Sequence, residues 1–149
     1  ATSKDFVHWE FLDDDKCSDR EIYNGGPWMR YSRGWFYVVS VIEMPGYRFT
    51  NYLFRTRDFE TWEYGKYSPI LMPSEEDRKL SPYAHGFTPE KLRQIRTGYL
   101  SNNSDLDMCD WQGRTVITYA CGNQLGFCYT CEAEYEGTVA DFLAANFDE

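Results

Sequence analysis

The chain writes one nine-residue phrase twice, and this repeat limits its fold more than any other feature. TSKDFVHWE occupies residues 2–10 and RTRDFETWE occupies residues 55–63, an offset of 53 residues (55 − 2). The Asp-Phe and Trp-Glu pairs of the two copies align position by position. A repeat period of about 50 residues is typical of propellers, solenoids and repeat arrays. The sequence therefore predicts a fold built from similar units in series.

The segment between the two copies predicts four short strands. Aromatic and β-branched residues dominate them, and the first two turns between them contain Gly or Pro. They fall at 23–31 (YNGGPWMRY), 35–43 (WFYVVSVIE), 47–56 (YRFTNYLFRT) and 62–67. Four antiparallel strands within about 50 residues make one blade of a β-propeller. The repeated phrase is then the corner between the third and fourth strands of a blade. Its first copy, at 2–10, would close a blade whose earlier strands lie outside this sequence.

The pattern returns near the C-terminus. Strands are predicted at 104–113, 114–122 and 126–135, with GNQLG at 122–126 as a hairpin turn. The chain thus divides into a blade corner (2–10), a blade (23–67), an inter-blade loop and helix (68–101), a second blade (102–135) and a terminal helix (138–147).

Two short helices interrupt this β pattern. TPEKLRQIRTG has Thr88 as N-cap, Pro89 at the first helical position and Gly98 at the C-terminal end. GTVADFLAANF has Thr138 as N-cap with Asp141 three residues later, a variant of the capping box. The second helix is expected to pack its apolar side chains against the sheets.

Composition excludes several classes of partner. The net charge is −9 and no run of five Lys or Arg occurs, so nucleic acid and anionic membranes are not expected partners. No stretch of about 18 apolar residues is present, so no membrane-spanning helix is predicted. Aromatic residues reach 18%, which suits packed aromatic layers or aromatic faces for ligands.

The five cysteines do not form the pattern of a disulfide framework. Cys128 and Cys131 form C-x-x-C, but they fall on a predicted strand, where positions i and i+3 point to opposite faces. We therefore expect buried free thiols, no metal and no cofactor. Unpaired cysteines favour the cytoplasm.

Candidate site residues cluster where inner strands and hairpins of a propeller open on one face. In NNSDLD, a period of two places Asn103, Asp105 and Asp107 on one face. Such a set could act as a general acid and base, bind hydroxyls or hold a cation. The alternative is a strand-start turn in which these side chains cap backbone groups.

Other candidates come from the first blade and the loops. Trp28 and Arg30 share a face of GGPWMRY, where they could stack on a sugar and hold its hydroxyls, or serve the core and an ion pair. Glu21, Gln124 and His85 could reach the same mouth. Each of the three could equally be an ordinary exposed polar residue.

These residues carry a resemblance. Several stretches of the chain resemble the C-terminal part of five-bladed β-propeller glycoside hydrolases. They are the corners SKDFVHWE and TRDFETWE, the strand pair GGPWMRYSRGWFYVVS, the blade from NNSDLD to GNQLG, and the terminal YEGTVADFLAANF. These hydrolases are the arabinanase/xylosidase-like and invertase-like enzymes. The resemblance implies an all-β fold, here about two blades of a five-bladed propeller, a piece of a third and two short helices. It implies hydrolysis of a glycosidic bond, with carbohydrate as the partner.

The chain departs from the family pattern in two ways. The family's acid is usually a Glu just before a Gly/Ala-Pro on an inner strand, but this chain reads Gly25-Gly26-Pro27. Asp105, Asp107 and Glu21 remain as catalytic candidates, with Trp28, Arg30, Asn103, Gln124 and His85 for substrate binding. Five blades need roughly 250–300 residues, so a fragment that pairs with the rest of a propeller or with itself is expected. The alternative function is a non-catalytic carbohydrate-binding or scaffold propeller.

Overall fold

The computed structural model describes residues 1–11 and 24–148. Seven strands and two α-helices follow one another in these ranges. The strands are β1 (Asn24–Ser32), β2 (Trp35–Met44), β3 (Arg48–Thr56), β4 (Glu63–Tyr64), β5 (Asn102–Trp111), β6 (Arg114–Asn123) and β7 (Phe127–Tyr135). The helices are α1 (Pro89–Thr97) and α2 (Val139–Ala144), and a short 3₁₀-helix spans Glu75–Arg78.

The first unit is an antiparallel meander of β1 to β4, as the sequence predicts. Its first turn uses Arg33 (φ 51°) and Gly34 (φ 83°), and two consecutive positive φ angles suit the tight turn that joins twisted strands. The second unit, β5 to β7, is also antiparallel. Its first turn repeats the device with Gln112 (φ 48°) and Gly113 (φ 81°). The two units therefore share one local design.

The two units meet at β3 and β5. These strands run parallel and share one residue pair, Phe49 with Asn102. The Asn102 side chain accepts a hydrogen bond from the Phe49 N–H (3.3 Å). The Asn51 amide donates to the Asn103 carbonyl (2.9 Å). Adjacent asparagines at the start of β5 thus tie the second unit to the first. In the described part of the chain the sheet stays open, with β1 and β7 at its ends.

The core lies between the two units and α2. Its buried side chains come from β2, β3, β5, β6, α2 and the residues after it: Tyr37, Val39, Leu53, Leu106, Met108, Ile117, Tyr119, Cys121, Val139, Leu143 and Phe147. Helix α2 begins with the predicted capping box, in which Thr138 and Asp141 satisfy each other's backbone N–H groups. The expectation that this helix packs against the sheets is confirmed.

Helix α1 also follows its prediction, with the Thr88 hydroxyl accepting from the Lys91 N–H. Gly98 differs from a usual helix-ending glycine, since its φ of −63° is open to any residue. A Cβ at that position would lie 2.7 Å from the Phe127 ring. The glycine is therefore needed for close packing of the helix end on β7.

The segment 68–87 is not simply the loop that the sequence indicates, because the 3₁₀-helix lies within it. A second capping box starts that helix, with Ser74 as N-cap and Asp77 as its partner. Asp77 is buried, and its Oδ1 accepts a hydrogen bond from the Tyr119 hydroxyl (2.6 Å). Burial, together with this bond, raises the pKa of Tyr119 above its ordinary range.

The chain is thus mainly β, with two antiparallel meanders side by side in an open sheet, the arrangement expected of neighbouring blades in a partial propeller. That a complete ring would have five blades stays a prediction from the resemblance. The division of the chain into portions of one propeller domain also stays a prediction. In the parts that the structure describes, no helix has the length and apolar character needed to cross a membrane.

Candidate functional site

A pocket of about 350 Å³ lies between the two units, at the end where their hairpins turn. Side chains from both units line it: Val41, Glu43, Tyr47 and Phe49 from the first, and Ser104, Asp105 and Gln124 from the second. Asp105 and Gln124 are both candidates from the sequence. The pocket therefore brings together the strand entry and the hairpin that the sequence places at one face.

Matching bulges shape the floor of this site. On β1, Gly26 and Pro27 lie opposite a single residue of β2, and on β5, Asp105 and Leu106 lie opposite a single residue of β6. The first residue of each bulge is left-handed, with φ of 53° at Gly26 and 50° at Asp105. A bulge bends its strand and redirects a side chain. The same device thus occurs at equivalent places on the first strand of each unit.

The two bulges also touch. A Cβ built on Gly26 would lie only 2.6 Å from Oδ1 of Asp105. The Asp105 carboxylate therefore lies over the bare backbone of β1, in the volume that any side chain at position 26 would need. Glycine at position 26 is required twice, once for its left-handed backbone and once for the room it gives this carboxylate.

Asp105 is held in a conformation with a cost. A left-handed backbone at a residue with a side chain costs roughly 1–2 kcal/mol, and Asp is among the residues that tolerate it best. Its Oδ2 accepts a hydrogen bond from the Ser104 hydroxyl (2.8 Å), which fixes the carboxylate further. Strained residues that the surrounding structure holds in place are concentrated at binding and catalytic sites. Asp105 and Tyr47 are the pocket-lining residues with such a backbone, and Asp105 is the one that carries a carboxylate.

The opposite wall is aromatic. Tyr47 and Phe49 meet edge to face, with ring centroids 5.2 Å apart and ring planes at 81°. Tyr47 is 60% exposed and itself left-handed, with φ of 57°, at the turn between β2 and β3. Exposed aromatic faces stack on the apolar faces of sugar rings. Glu43 adds a second carboxylate to the same pocket.

Sequence reasoning missed Glu43, Tyr47 and Phe49. A signal for them was present, because the first unit has its own hairpin turn at MPG (44–46), equivalent to GNQLG of the second. Applying the hairpin argument to both units, rather than to the second alone, would have placed Tyr47 beside Gln124.

The expected face of Asn103, Asp105 and Asp107 is interrupted. The bulge between Ser104 and Asp107 breaks the period of two, so Asn103 is buried at 1% exposure whereas Asp105 and Asp107 are exposed. Asn103 joins the units and does not line the pocket. Asp107 accepts a hydrogen bond from the Met108 N–H (2.7 Å) and also lies outside the pocket lining.

Trp28 and Arg30 do not reach this pocket either. Trp28 packs against the core cluster, and Arg30 lies 3.7 Å from the Asp110 carboxylate on β5. Asp105 itself lies against Gly26 of β1. His85 is exposed, with its Nδ1 2.8 Å from the Tyr83 carbonyl oxygen, and is absent from the lining. Glu21 lies outside the described residues.

Comparison with known proteins gives structural likeness only. No protein-family model matches the chain, and no curated protein matches it. The GH43 protein BlXynB from Bacillus licheniformis matches with a TM-score of 0.47 and 19% identity, over 76% of this chain and 20% of that one. A point mutant of the same protein matches with a TM-score of 0.49 and 19% identity, over 78% and 20%. The chain thus spans about one fifth of the length of the solved structures to which it is similar.

Proposed function

We propose that the pocket between the two units binds carbohydrate, as part of a propeller of the glycoside hydrolase type. The observation that carries the proposal is Asp105, whose carboxylate is held by a left-handed backbone over Gly26 at the pocket. Tyr47 offers an exposed aromatic face across from it, and Gln124 offers an amide for sugar hydroxyls. Carboxylate, amide and aromatic groups are the chemistry that recognises a sugar ring.

Hydrolysis of a glycosidic bond needs two carboxyl groups, one as acid and one as base or nucleophile. In this chain the pocket offers Asp105 and Glu43. Asp105 is the first catalytic candidate, and Glu43 replaces Asp107 as its partner in the pocket. A catalytic role for Asp107, as predicted from the sequence, is the alternative that the control variant below tests, and a role for Glu21 stays a prediction. The chain would supply one wall of the site, with the remaining blades of a propeller supplying the others.

A non-catalytic sugar-binding role is the second candidate. Gly25-Gly26-Pro27 holds no Glu where the resembling enzymes usually carry their acid. The Asp105 carboxylate fills the space that a side chain at position 26 would need. In this reading Asp105 binds a hydroxyl group and no bond is broken.

Binding and hydrolysis are tested on the same set of variants. Saturation-transfer NMR and calorimetry with xylo- and arabino-oligosaccharides report binding, and nitrophenyl glycosides of the same sugars report hydrolysis. We expect Tyr47→Ala and Asp105→Asn to weaken sugar binding by about tenfold or more, the effect of about 1.4 kcal/mol of lost contact. If Asp105 is catalytic, Asp105→Asn lowers turnover by about 10²–10⁴-fold with little change in melting temperature.

Asp107→Asn is the matched control, because Asp107 is an exposed carboxylate two residues away and outside the lining. It should leave sugar binding and turnover unchanged. Equal losses from Asp105→Asn and Asp107→Asn, or no sugar binding by the chain, would contradict the proposal. Sugar binding that needs Asp105, without hydrolysis of any glycoside in the panel, would favour the non-catalytic role.

A further inference from the structure

A second group of functional side chains lies away from the pocket. It joins the 3₁₀-helix to β6 and β7 through Asp77, Cys121 and Cys131. The carboxylate oxygen and the two sulfurs all lie within 4.8 Å of one another. Cys121 is fully buried, Asp77 is 7% exposed and Cys131 is half-buried. These are two soft ligands and one hard ligand, converging from three parts of the chain.

The register of β6 and β7 argues against a disulfide here. Cys121 pairs with Tyr129 and Cys131 pairs with Tyr119, so the two cysteines are diagonal neighbours. Diagonal positions on antiparallel strands are about 7–8 Å apart, whereas a disulfide needs Cα atoms within about 6.8 Å and Cβ atoms within about 4.5 Å. Two sulfurs on one tetrahedral zinc ion are about 3.8 Å apart, since each Zn–S bond is about 2.3 Å long. The geometry suits a bridging ion better than a direct bond.

The carboxylate is already oriented by its neighbours. Oδ2 of Asp77 accepts a hydrogen bond from the Ser74 N–H (2.7 Å), and Oδ1 accepts one from the Tyr119 hydroxyl (2.6 Å). Ligating carboxylates in metal sites are commonly held by such outer hydrogen bonds. No ion pair reaches Asp77 from the residues that the structure describes. A buried carboxylate of this kind gains from a cation at its free lone pairs.

Two further groups face the cluster. The Tyr129 hydroxyl is buried beside Cys121, within hydrogen-bonding reach of its sulfur. A metal-bound thiolate at Cys121 would be a stronger acceptor for this hydroxyl than a neutral thiol. The Arg78 guanidinium is close enough to act electrostatically on Cys121, and it is fixed by bonds to the carbonyls of Ile95 and Gly98 (both 3.0 Å). Arg78 offsets the net negative charge of two thiolates, a carboxylate and a divalent ion.

We propose that Asp77, Cys121 and Cys131 bind one thiophilic divalent cation of the zinc class, with water in the fourth position. The ion would join the inter-unit segment to two strands of the second unit. Cys128, the other member of the C-x-x-C pair, is exposed on the opposite face of β7 and takes no part. The structure describes Cys121 and Cys131 as free thiols, as the sequence predicts; the proposal makes them ligands because the register of β6 against β7 brings them together.

Cobalt(II) and zinc titrations of the reduced chain test the proposal. Cobalt should bind one ion per chain with thiolate-to-metal charge-transfer absorption, and zinc should displace it and raise the melting temperature. Cys131→Ser should abolish the charge-transfer band. Tyr119→Phe keeps all three ligands but frees Oδ1 of Asp77, so metal affinity should fall about 10–100-fold. The double variant Cys109→Ser/Cys128→Ser removes two exposed thiols and should bind as the wild-type chain does.

Folding is checked separately by near-ultraviolet circular dichroism and by melting without metal. Cys131 is chosen over the fully buried Cys121 because serine is better tolerated where water is near. Retained cobalt binding in Cys131→Ser, or its loss in the Cys109→Ser/Cys128→Ser control, would overturn the proposal. So would a Cys121–Cys131 disulfide in peptide maps of the unreduced chain.

Discussion

The two copies of the repeated corner adopt the same local structure. The second residue of each copy, Ser3 or Thr56, accepts a hydrogen bond from the N–H of the Phe three positions later, at 2.8 and 2.9 Å. Each Asp then accepts two backbone N–H bonds from the next turn, at 2.8–2.9 Å in the first copy and 2.8 Å in the second. Both Phe residues are left-handed, with φ of 61° and 60°. Both meet the Trp of their copy edge to face, at 6.3 and 6.1 Å.

The copies differ in what covers them. Phe59 packs on Phe36 of β2 with ring centroids 4.6 Å apart, and the chain beyond it pairs with β3 as β4. Phe6 is 83% exposed, and among the described residues the β pairing of its copy is limited to the bridge between Thr2 and Glu10. The first copy even gains a contact, between Asp5 and the His8 ring (2.7 Å).

The difference separates two causes of structure. Short-range hydrogen bonds from Ser or Thr and from Asp are sufficient to define the turn, since both copies form it. Packing on a sheet makes one copy part of the cooperative unit. We therefore expect changes in the second copy to alter global stability, and the same changes in the first copy to alter only local opening.

The largest expected difference comes from the aromatic rings. Phe59→Ala should lower the free energy of unfolding by about 2 kcal/mol, roughly half of what a fully buried Phe loses, because the ring is half-buried on Phe36. Phe6→Ala should change it by less than about 0.5 kcal/mol. Denaturant unfolding of both variants measures the two values. Equal losses would mean that the first corner docks on the sheet in solution.

A smaller difference is expected from the hydroxyl of the second residue in each copy. Thr56→Val keeps the buried volume but removes the acceptor for the Phe59 N–H, and should cost about 1 kcal/mol. Ser3→Ala removes the matching acceptor from the Phe6 N–H and should leave global unfolding unchanged. Hydrogen exchange at the Phe6 amide should nevertheless become faster. An unchanged Phe6 exchange rate would contradict the assignment of the turn to these short-range bonds.

Patterns within a few residues were read correctly from the sequence. The strands of both units and the caps at Thr88 and Thr138 depend on local chemistry, and all are confirmed. The bulge at Asp105 could not be read in this way. A period of two assumes a regular strand, and nothing local in NNSDLD marks where the extra residue falls.

The other features that the sequence did not predict depend on contacts between distant segments. The role of Gly26 depends on a carboxylate 79 positions away (105 − 26), which no pattern on β1 indicates. Cys131 likewise needs the register of β6 against β7 before Cys121 becomes its neighbour. The Glu before Pro27 that the resemblance leads one to seek is absent, and the site candidate instead lies on the other first strand.

The smallest expected difference concerns pH. Backbone hydrogen bonds from Thr61 and Glu60 hold the pKa of Asp58 below its ordinary value. A carboxyl whose pKa is depressed by folding stabilises the protein fully above its unfolded value of about 3.9, and that contribution is lost as pH falls below it. The stability gap between wild type and Asp58→Asn should therefore be present at neutral pH and shrink below about pH 4.

The pKa of Asp5 is lowered more than that of Asp58, and the hydrogen bond to the His8 ring is the largest cause. Asp5 therefore gives a sharp test of whether the two corners differ. Within the described residues its hydrogen bonds all lie inside 3–8, so we expect the first corner to open independently of the sheet. Asp5 then takes up its proton at the same pH whether the sheet is folded or not, and linkage to global unfolding vanishes. Asp5→Asn should leave stability unchanged from neutral to acid pH, while NMR titration still finds the Asp5 carboxyl titrating low. A stability gap for Asp5→Asn that closes in acid would show that the two corners are coupled to the same unfolding step.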